Sequence, residues 1–318
     1  MQLRRIAGPA ILFCLMLTQV SAQADERRIR DAAGRDVTIR DTSRIVSIGS
    51  SVTEILFALG AGDRVVGVDQ TSIYPPAVGS RPNVGYSRTL APEGVLSIGP
   101  SLILALEGSG PPAALDVLER TAVPVVIIPD ARSPEGVVRK IEAVAAAVGL
   151  EAEGRRLAET VKADFDAVQA EVARLSAHPR AVFVLSAASG APVVGGSDTG
   201  ADAMLRLAGA TNPMESIKGY KPAVDEAAFS ADPQALVVMS GGGQVLTAEM
   251  LFALPAFKGT PAAQDNRFIV MPGTYLLGFG PRTPQAIRDL AAALHPQAKL
   301  AALPPRPWAS AAPATRAP

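Results

Sequence analysis

Two short runs of this 318-residue chain set a tyrosine close to a cation. In Pro82-Asn83-Val84-Gly85-Tyr86-Ser87-Arg88 the cation follows two residues on; in Gly219-Tyr220-Lys221-Pro222 it is the next residue. A free phenol has a pKa of about 10, so at neutral pH it ionises only where a nearby guanidinium or a bound metal favours the anion. The phenolate so formed is a hard oxygen donor, suited to ferric iron. Read from the residues alone, Tyr86 is by default a loop tyrosine packing its ring on a surface, and Tyr220 is equally an exposed turn residue. The other tyrosines are Tyr74 and Tyr275. Tyr275 stands in a loop after an apolar run ending at Met271. Arg282 follows in Leu277-Gly278-Phe279-Gly280-Pro281-Arg282-Thr283-Pro284, where it either meets an anionic ligand or caps backbone carbonyls of its own turn.

Other reactive chemistries find little footing. The sole cysteine, Cys14, lies in an N-terminal segment expected to be removed, which takes cysteine-based zinc, iron–sulfur and thiol chemistry out of the mature chain. His178 precedes Pro179 and His295 precedes Pro296, each at the close of a helical run, where a surface histidine is expected. The runs Gly195-Gly196-Ser197-Asp198-Thr199-Gly200 and Gly241-Gly242-Gly243 lack the Lys-Ser/Thr of a phosphate loop. No Gly-x-Ser-x-Gly elbow follows a strand, so an exported α/β enzyme would need a catalytic constellation that the sequence does not display. Lys plus Arg number 30 and Asp plus Glu 30, with no long basic run, which argues against nucleic-acid binding.

The elements that must position these residues are legible as hydrophobic patterns, in a composition (48% hydrophobic, 19% charged) typical of a globular chain. Arg4 and Arg5 precede the apolar run 10–17, and Val20-Ser21-Ala22 and Ala22-Gln23-Ala24 offer small residues for cleavage, so 1–24 reads as a signal peptide. The run is shorter than the roughly 20 residues of a spanning helix. Phe13 before Cys14 is large where lipoprotein processing requires a small residue. Short apolar runs at 45–48, 65–68, 102–106 and 123–128 predict parallel strands buried on both faces. The pattern restarts at 181–185, 236–239 and 268–271, before a last helix at 284–294.

Between the two sets, Ser133 and Pro134 mark the start of a helix over 134–148. An amphipathic helix follows over 151–175, with Leu157, Val161, Phe165, Val168, Val172 and Leu175 on one face. At 1.5 Å per residue it reaches roughly 37 Å. The expected fold is α/β: two Rossmann-like lobes, 28–149 and 178–298, joined by a single long helix within 150–177, with a ligand cleft between them. A Pro/Ala-rich tail, 299–318, is assigned no structure beyond Leu303. A helical connector predicts modest closure of the lobes. The lobes also echo one another: Glu93, Ser97 and Pro100 lead into one strand as Glu226, Ser230 and Pro233 lead into another.

An export signal, two echoing α/β lobes and one long connecting helix resemble the solute-binding proteins of bacterial ABC importers for iron complexes, haem and cobalamin, over about residues 28–298. The runs 82–88 and 277–284 resemble the haem-binding branch of that family. The resemblance implies a periplasmic, monomeric protein that takes haem from an outer-membrane receptor system and delivers it to an ABC permease dimer in the inner membrane. It implies Tyr86 as the ligand to ferric haem iron and Arg88 as the residue that hydrogen-bonds or polarises its phenol. Tyr220, Lys221, Tyr275 and Arg282 are then the expected haem-pocket residues of the second lobe. Glu93 and Glu226, one on each lobe, match acids that dock on permease arginines; each is equally a first-turn glutamate favoured by its helix dipole. Ferric siderophore or cobalamin binding stays open within the class. Those ligands would call for several arginines or a set of aromatic residues, and the aromatic content is only 4%.

Overall fold

The computed structural model describes residues 26–187, 191–223, 231–241, 243 and 245–309. The expected signal peptide with Cys14, the acid Glu226 and the tail from 310 onward lie outside the described residues.

The first four apolar runs form one parallel sheet: β3 (Ile45–Ile48), β4 (Val65–Val68), β5 (Leu102–Leu106) and β6 (Val125–Ile128), in the order β4-β3-β5-β6. Successive side chains of a strand point to opposite faces, and here both faces are covered. Ile45, Leu102, Leu104, Val126 and Ile128 face a core shared with helices α1 (Ser50–Ala58) and α4 (Pro134–Val148). Val46, Ile48, Ile103, Ala105, Val125 and Ile127 face a second core that takes in Val95 of α2 (Pro92–Leu96) and Leu118 of α3 (Pro112–Glu119). Every residue of β3 and β6 is buried, which is why β6 reads as an unbroken apolar run and β3 departs from one only at Ser47, whose hydroxyl shares a hydrogen bond with that of Thr53 at 2.7 Å.

The connecting helix is α5 (Glu151–Val172), three residues shorter than its apolar pattern predicts; the chain leaves the helix at Ala173. Leu157, Val161, Phe165 and Val168 are buried along one stripe. Gly154 lets α5 close on α4, because a Cβ there would lie 2.3 Å from the Cβ of Ala145. Ser133 caps α4 as expected, its hydroxyl accepting from the Gly136 N–H.

The second sheet has the order β11-β10-β7-β8-β9, built from β7 (Ala181–Ser186), β8 (Val193–Gly195), β9 (Tyr220–Pro222), β10 (Ala235–Ser240) and β11 (Phe268–Pro272). β7, β10 and β11 are parallel, while β8 and β9 extend the sheet antiparallel. The second lobe is therefore mixed rather than a copy of the first. Around it lie α6 (Gly200–Leu207), α7 (Ala248–Phe252), α8 (Pro261–Gln264), α9 (Gly273–Leu277) and α10 (Thr283–Leu294). A hairpin of β1 (Arg27–Arg30) and β2 (Asp36–Ile39), absent from the sequence expectation, opens the first lobe ahead of its sheet. One apolar core runs from Ile45 and Ile55 through Val161 and Phe165 to Phe183 and Ile287, so the lobes and α5 share a continuous interior.

Two expectations are corrected here. The tail does not lose structure at Leu303: a short turn at Pro307–Ala309 follows, and Trp308 packs against the main core. His295 is not a surface residue; it is 8% exposed with Nε2 on the Ala208 carbonyl at 3.2 Å, while exposed His178 holds the next carbonyl, of Gly209, at 3.0 Å. Burial lowers the pKa of His295 from its ordinary value near 6.5. Because the unfolded chain then binds the proton more readily than the folded one, stability is complete above about pH 6.5 and falls as pH drops toward the folded pKa. Urea midpoints measured from pH 8 to pH 5 are expected to decline over that window, and to decline less in His295→Gln.

Candidate functional site

Open parallel sheets bind ligands beyond the carboxyl ends of their strands. In the first lobe that edge carries the loops after β4, β5 and β6. The loop with Tyr86 is fixed at several points although it belongs to no long element. Val68 N–H donates to the Pro82 carbonyl and Val84 N–H to that of Val68, both at 2.9 Å, so residues 82–84 run along the sheet edge beside β4. Gln70 N–H then donates to Gly85, Gly110 N–H to Ser87 and Leu90 N–H to Gly110. Gly85 has φ 98°, a conformation that costs an L side chain dearly, and it turns the chain outward just before Tyr86. Tyr86 is 40% exposed and Arg88 is exposed beside it. Among the described residues neither the Tyr86 hydroxyl nor the Arg88 guanidinium has a hydrogen-bond partner. A rigid backbone thus presents a phenol and a guanidinium two residues apart, both available to a ligand.

The second lobe brings Tyr220 to the same cleft. The structure corrects its expected loop: Tyr220 is in β9, paired through β8 Gly195, with its ring edge-on to Phe183 at 6.2 Å. Although the residue is 39% exposed, its hydroxyl end is desolvated and lies at the start of α6, near the Ala201 N–H and the Thr199 hydroxyl. Burial pushes this phenol above its ordinary pKa, against the opposing pull of those donors and of the cations Arg132 and Arg88. Arg88 belongs to the first lobe, so its charge reaches Tyr220 across the gap. Lys221 is exposed on the same strand. Arg132, after β6, donates to the Asp198 carbonyl at 3.1 Å and ties the two rims together; Lys218 pairs with Asp198 at 3.1 Å.

Tyr275 and Arg282 sit elsewhere than the sequence reading puts them. Arg282 is 5% exposed; its Nε and Nη2 donate to the two carboxylate oxygens of Glu54 on α1 at 2.9 and 2.6 Å. Its guanidinium stacks over the Tyr74 ring at 3.5 Å and lies 5.2 Å from that of Tyr275. Tyr275 is 6% exposed, lies in α9 rather than a loop, and donates to Asp289 at 2.9 Å. Burial and the Asp289 charge push its phenol far up, so it stays neutral. Arg282 therefore neither faces the cleft nor caps carbonyls of its turn: it is one half of a buried ion pair between the lobes. The physical reason is that the segment 278–280 lies against the start of α1, with Gly280 beside Ser51 and Glu54, which brings Arg282 onto the Glu54 carboxylate.

A second cation is buried in that junction. Lys140 of α4 is wholly inaccessible and donates to Asp130 at 2.7 Å, to the Ser51 hydroxyl at 3.2 Å and, across the lobes, to the Phe279 carbonyl at 3.2 Å. Burial lowers its pKa while Asp130 raises it. The loop after β4 is fixed to the start of α1 by Asp69, 1% exposed, which accepts from Gly49 there and from Thr71 and Ser72 of its own loop. Glu54, Tyr74, Arg132 and Lys140 were not singled out from the sequence. A glutamate in the apolar run 52–59 and a lysine buried among Ile141, Val144 and Ala145 were the available signals, each a charge inside an otherwise core-facing stripe. Glu93 is exposed in the first turn of α2, where both a docking role and the helix dipole would put it.

With this geometry in view, the chain can be set beside known proteins. The periplasmic binding protein family matches over residues 45–275. The fold is similar to that of the periplasmic heme-binding protein RhuT from Roseiflexus sp. RS-1, with 36% identity, a TM-score of 0.77 and coverage of 81% of this chain and 100% of that one. It is similar also to a periplasmic heme-binding protein from Pseudomonas aeruginosa, at 34% identity and a TM-score of 0.73, covering 82% of this chain and 95% of that one. An uncharacterized ABC transporter substrate-binding lipoprotein of Bacillus subtilis, YvrC, is 29% identical over 84% of this chain and 85% of its own length. Two α/β lobes hinged on one helix, a cleft lined by exposed phenols and cations, and a family match over most of the described residues lead to one assignment: the chain belongs to the periplasmic binding protein family.

Proposed function

We propose that this protein captures ferric haem in the cleft between its lobes and delivers it to an ABC permease in the inner membrane. The observation that carries the reading is the exposed Tyr86 on a fixed loop beside an exposed Arg88, neither side chain with a hydrogen-bond partner among the described residues. Tyr86 is the axial ligand: iron and the Arg88 cation together favour its phenolate, and a hard oxygen donor matches the ferric state. Tyr220, with its pKa raised by burial, is the neutral phenol of the opposite wall, placed to stack on the macrocycle or donate to a ligand. Lys221 and Arg132 supply positive charge for the propionates. Neither Tyr275 nor Arg282 is part of this pocket; both support the junction behind it.

Solved proteins of similar fold carry heme-binding names, which supports the choice of ligand. The domain division is 28–149 and 178–298 about a connector at 150–177, after export by the segment 1–24. The chain acts as a monomer without catalysis, loaded by an outer-membrane receptor system. Titration of the purified mature protein with ferric haem tests the reading. The expected result is saturable binding with a high-spin ferric spectrum and a tyrosinate charge-transfer band. Weak, non-saturable binding would move cobalamin or a ferric siderophore to the front.

Glu93 is the docking acid of the first lobe, and its counterpart Glu226 on the second completes a pair of like charges suited to a two-fold permease. Glu93→Lys is expected to lower haem uptake in cells roughly tenfold while leaving haem affinity in solution unchanged. Unchanged uptake would leave Glu93 as a helix-start residue only.

A further inference from the structure

We propose that residues 299–309 form a strap that fastens the second lobe to the first across α5 and sets the resting angle between them. The path is drawn by its contacts. The strap leaves the second lobe after α10, where Arg288 of that helix donates to the carbonyls of Ala301 and Leu300 at 3.4 and 3.5 Å. It then crosses the connecting helix. Arg306 Nε and Nη2 donate to both carboxylate oxygens of Asp164 on α5, at 3.0 and 2.7 Å, and the Asp164 side chain is 3% exposed. It ends on the first lobe, where the Tyr74 hydroxyl donates to the Trp308 carbonyl at 3.0 Å. Pro307 and Trp308 there close a cavity of about 190 Å³ whose other walls are Glu54, Phe57, Ala58, Tyr74 and Pro75.

The chain therefore passes between the lobes twice, once covalently through α5 and once on the way back through these contacts. Its two strongest anchors fall on parts that a change of lobe angle must disturb. Asp164 is near the middle of the connecting helix, and Tyr74 carries on its ring face the Arg282 guanidinium that joins α1 to the second lobe. A bidentate arginine–carboxylate pair is a directional fastening rather than loose charge contact. A Pro/Ala-rich stretch has few conformations to lose and suits a tether of set length. Rotation of one lobe about α5 must then either stretch the strap or release Arg306 from Asp164.

The test reads lobe separation directly in the ligand-free protein, so it stands or falls independently of what the cleft binds. Cys14 is the only native cysteine and precedes the mature chain, so spin labels at Asp116→Cys and Lys258→Cys, both exposed, report one interlobe distance. Wild type is expected to give a single narrow distance distribution by pulsed electron paramagnetic resonance. A chain ending at Lys299, and separately Arg306→Ala, are expected to broaden it about twofold or to add a second distance. Arg306→Ala keeps the tail and releases it from Asp164, whose buried carboxylate is left unpaired, and keeps the test decisive if the shortened chain folds poorly. Distributions equal to wild type in a folded Arg306→Ala protein, with or without a lower melting temperature, would overturn the strap and leave the tail as surface packing.

Discussion

Tyr86→Ala is expected to remove the tyrosinate charge-transfer band from the ferric haem complex and to weaken haem binding on the order of 100-fold. The magnitude follows from losing an anionic ligand to the metal, not merely an aromatic contact. Tyr86→Phe separates the two, because it keeps the ring and deletes only the oxygen. If ligation is the role, Phe fails almost as completely as Ala in both spectrum and affinity. If Tyr86 only stacks on the macrocycle, Phe behaves as wild type. Arg88→Ala leaves the ligand in place and removes the cation beside it, so the band is expected to shift and affinity to fall by about tenfold. Tyr220→Phe provides the contrast within the same cleft. Partial desolvation holds its phenol above the ordinary pKa, so the band survives that change.

The second large effect lies in the junction behind the cleft. Arg282→Ala is expected to destabilise the ligand-free protein by about 3–5 kcal/mol, because it strands the Glu54 carboxylate in a site only 6% exposed. Replacing both partners with apolar residues, Glu54→Leu with Arg282→Met, should recover most of that loss, since the desolvation cost of both charges disappears with the pair. The pH dependence identifies the stranded group. Burial already pushes the Glu54 carboxyl above its ordinary 4.5; Arg282 is the main cation that pulls it back, with a smaller pull from Lys140. Without Arg282 the folded pKa rises further, so the folded state holds the proton more tightly than the unfolded one. The mutant is then closest to wild type near pH 4.5 and loses stability relative to it as pH rises through the elevated folded pKa. Urea midpoints of mutant and wild type compared at pH 5 and pH 8 check this; a gap that does not widen with pH would mean that Glu54 is not the group responsible. Taking the difference removes the His295 contribution, which both proteins share.

Much of the framework was legible in order along the chain. Parallel strands buried on both faces are near-continuously apolar, and 102–106 and 125–128 follow that pattern without any partner being known. Ser133-Pro134 and the three-and-four spacing from Leu157 to Val168 mark helices by local chemistry alone. β9 was not legible. Tyr-Lys-Pro has no apolar alternation, and it is a strand only because β8 lies beside it to supply the hydrogen bonds. The Tyr86-x-Arg88 pair could be named only because the run 82–88 resembles the haem-binding branch of the family; both residues lie in one loop, so the resemblance carries them together.

Arg282 could not be placed in the same way. It stands in a Gly/Pro-rich run that suits a ligand contact as well as a structural one, and the carboxylate that claims it is 228 residues away. The tail illustrates the same limit: its composition argues against a packed element, yet Arg306 finds Asp164 on a helix 142 residues earlier. The sequence by itself determined the strands and the connecting helix, and gave the export signal as an expectation, because periodicity and capping are properties of neighbouring residues; the tyrosine–arginine pair entered through the family resemblance of the run 82–88. Only the tertiary structure decided which charges face the cleft and which are spent joining the lobes. Burial and ion pairing between distant segments depend on where the sheets and helices bring them together, and no local pattern encodes that.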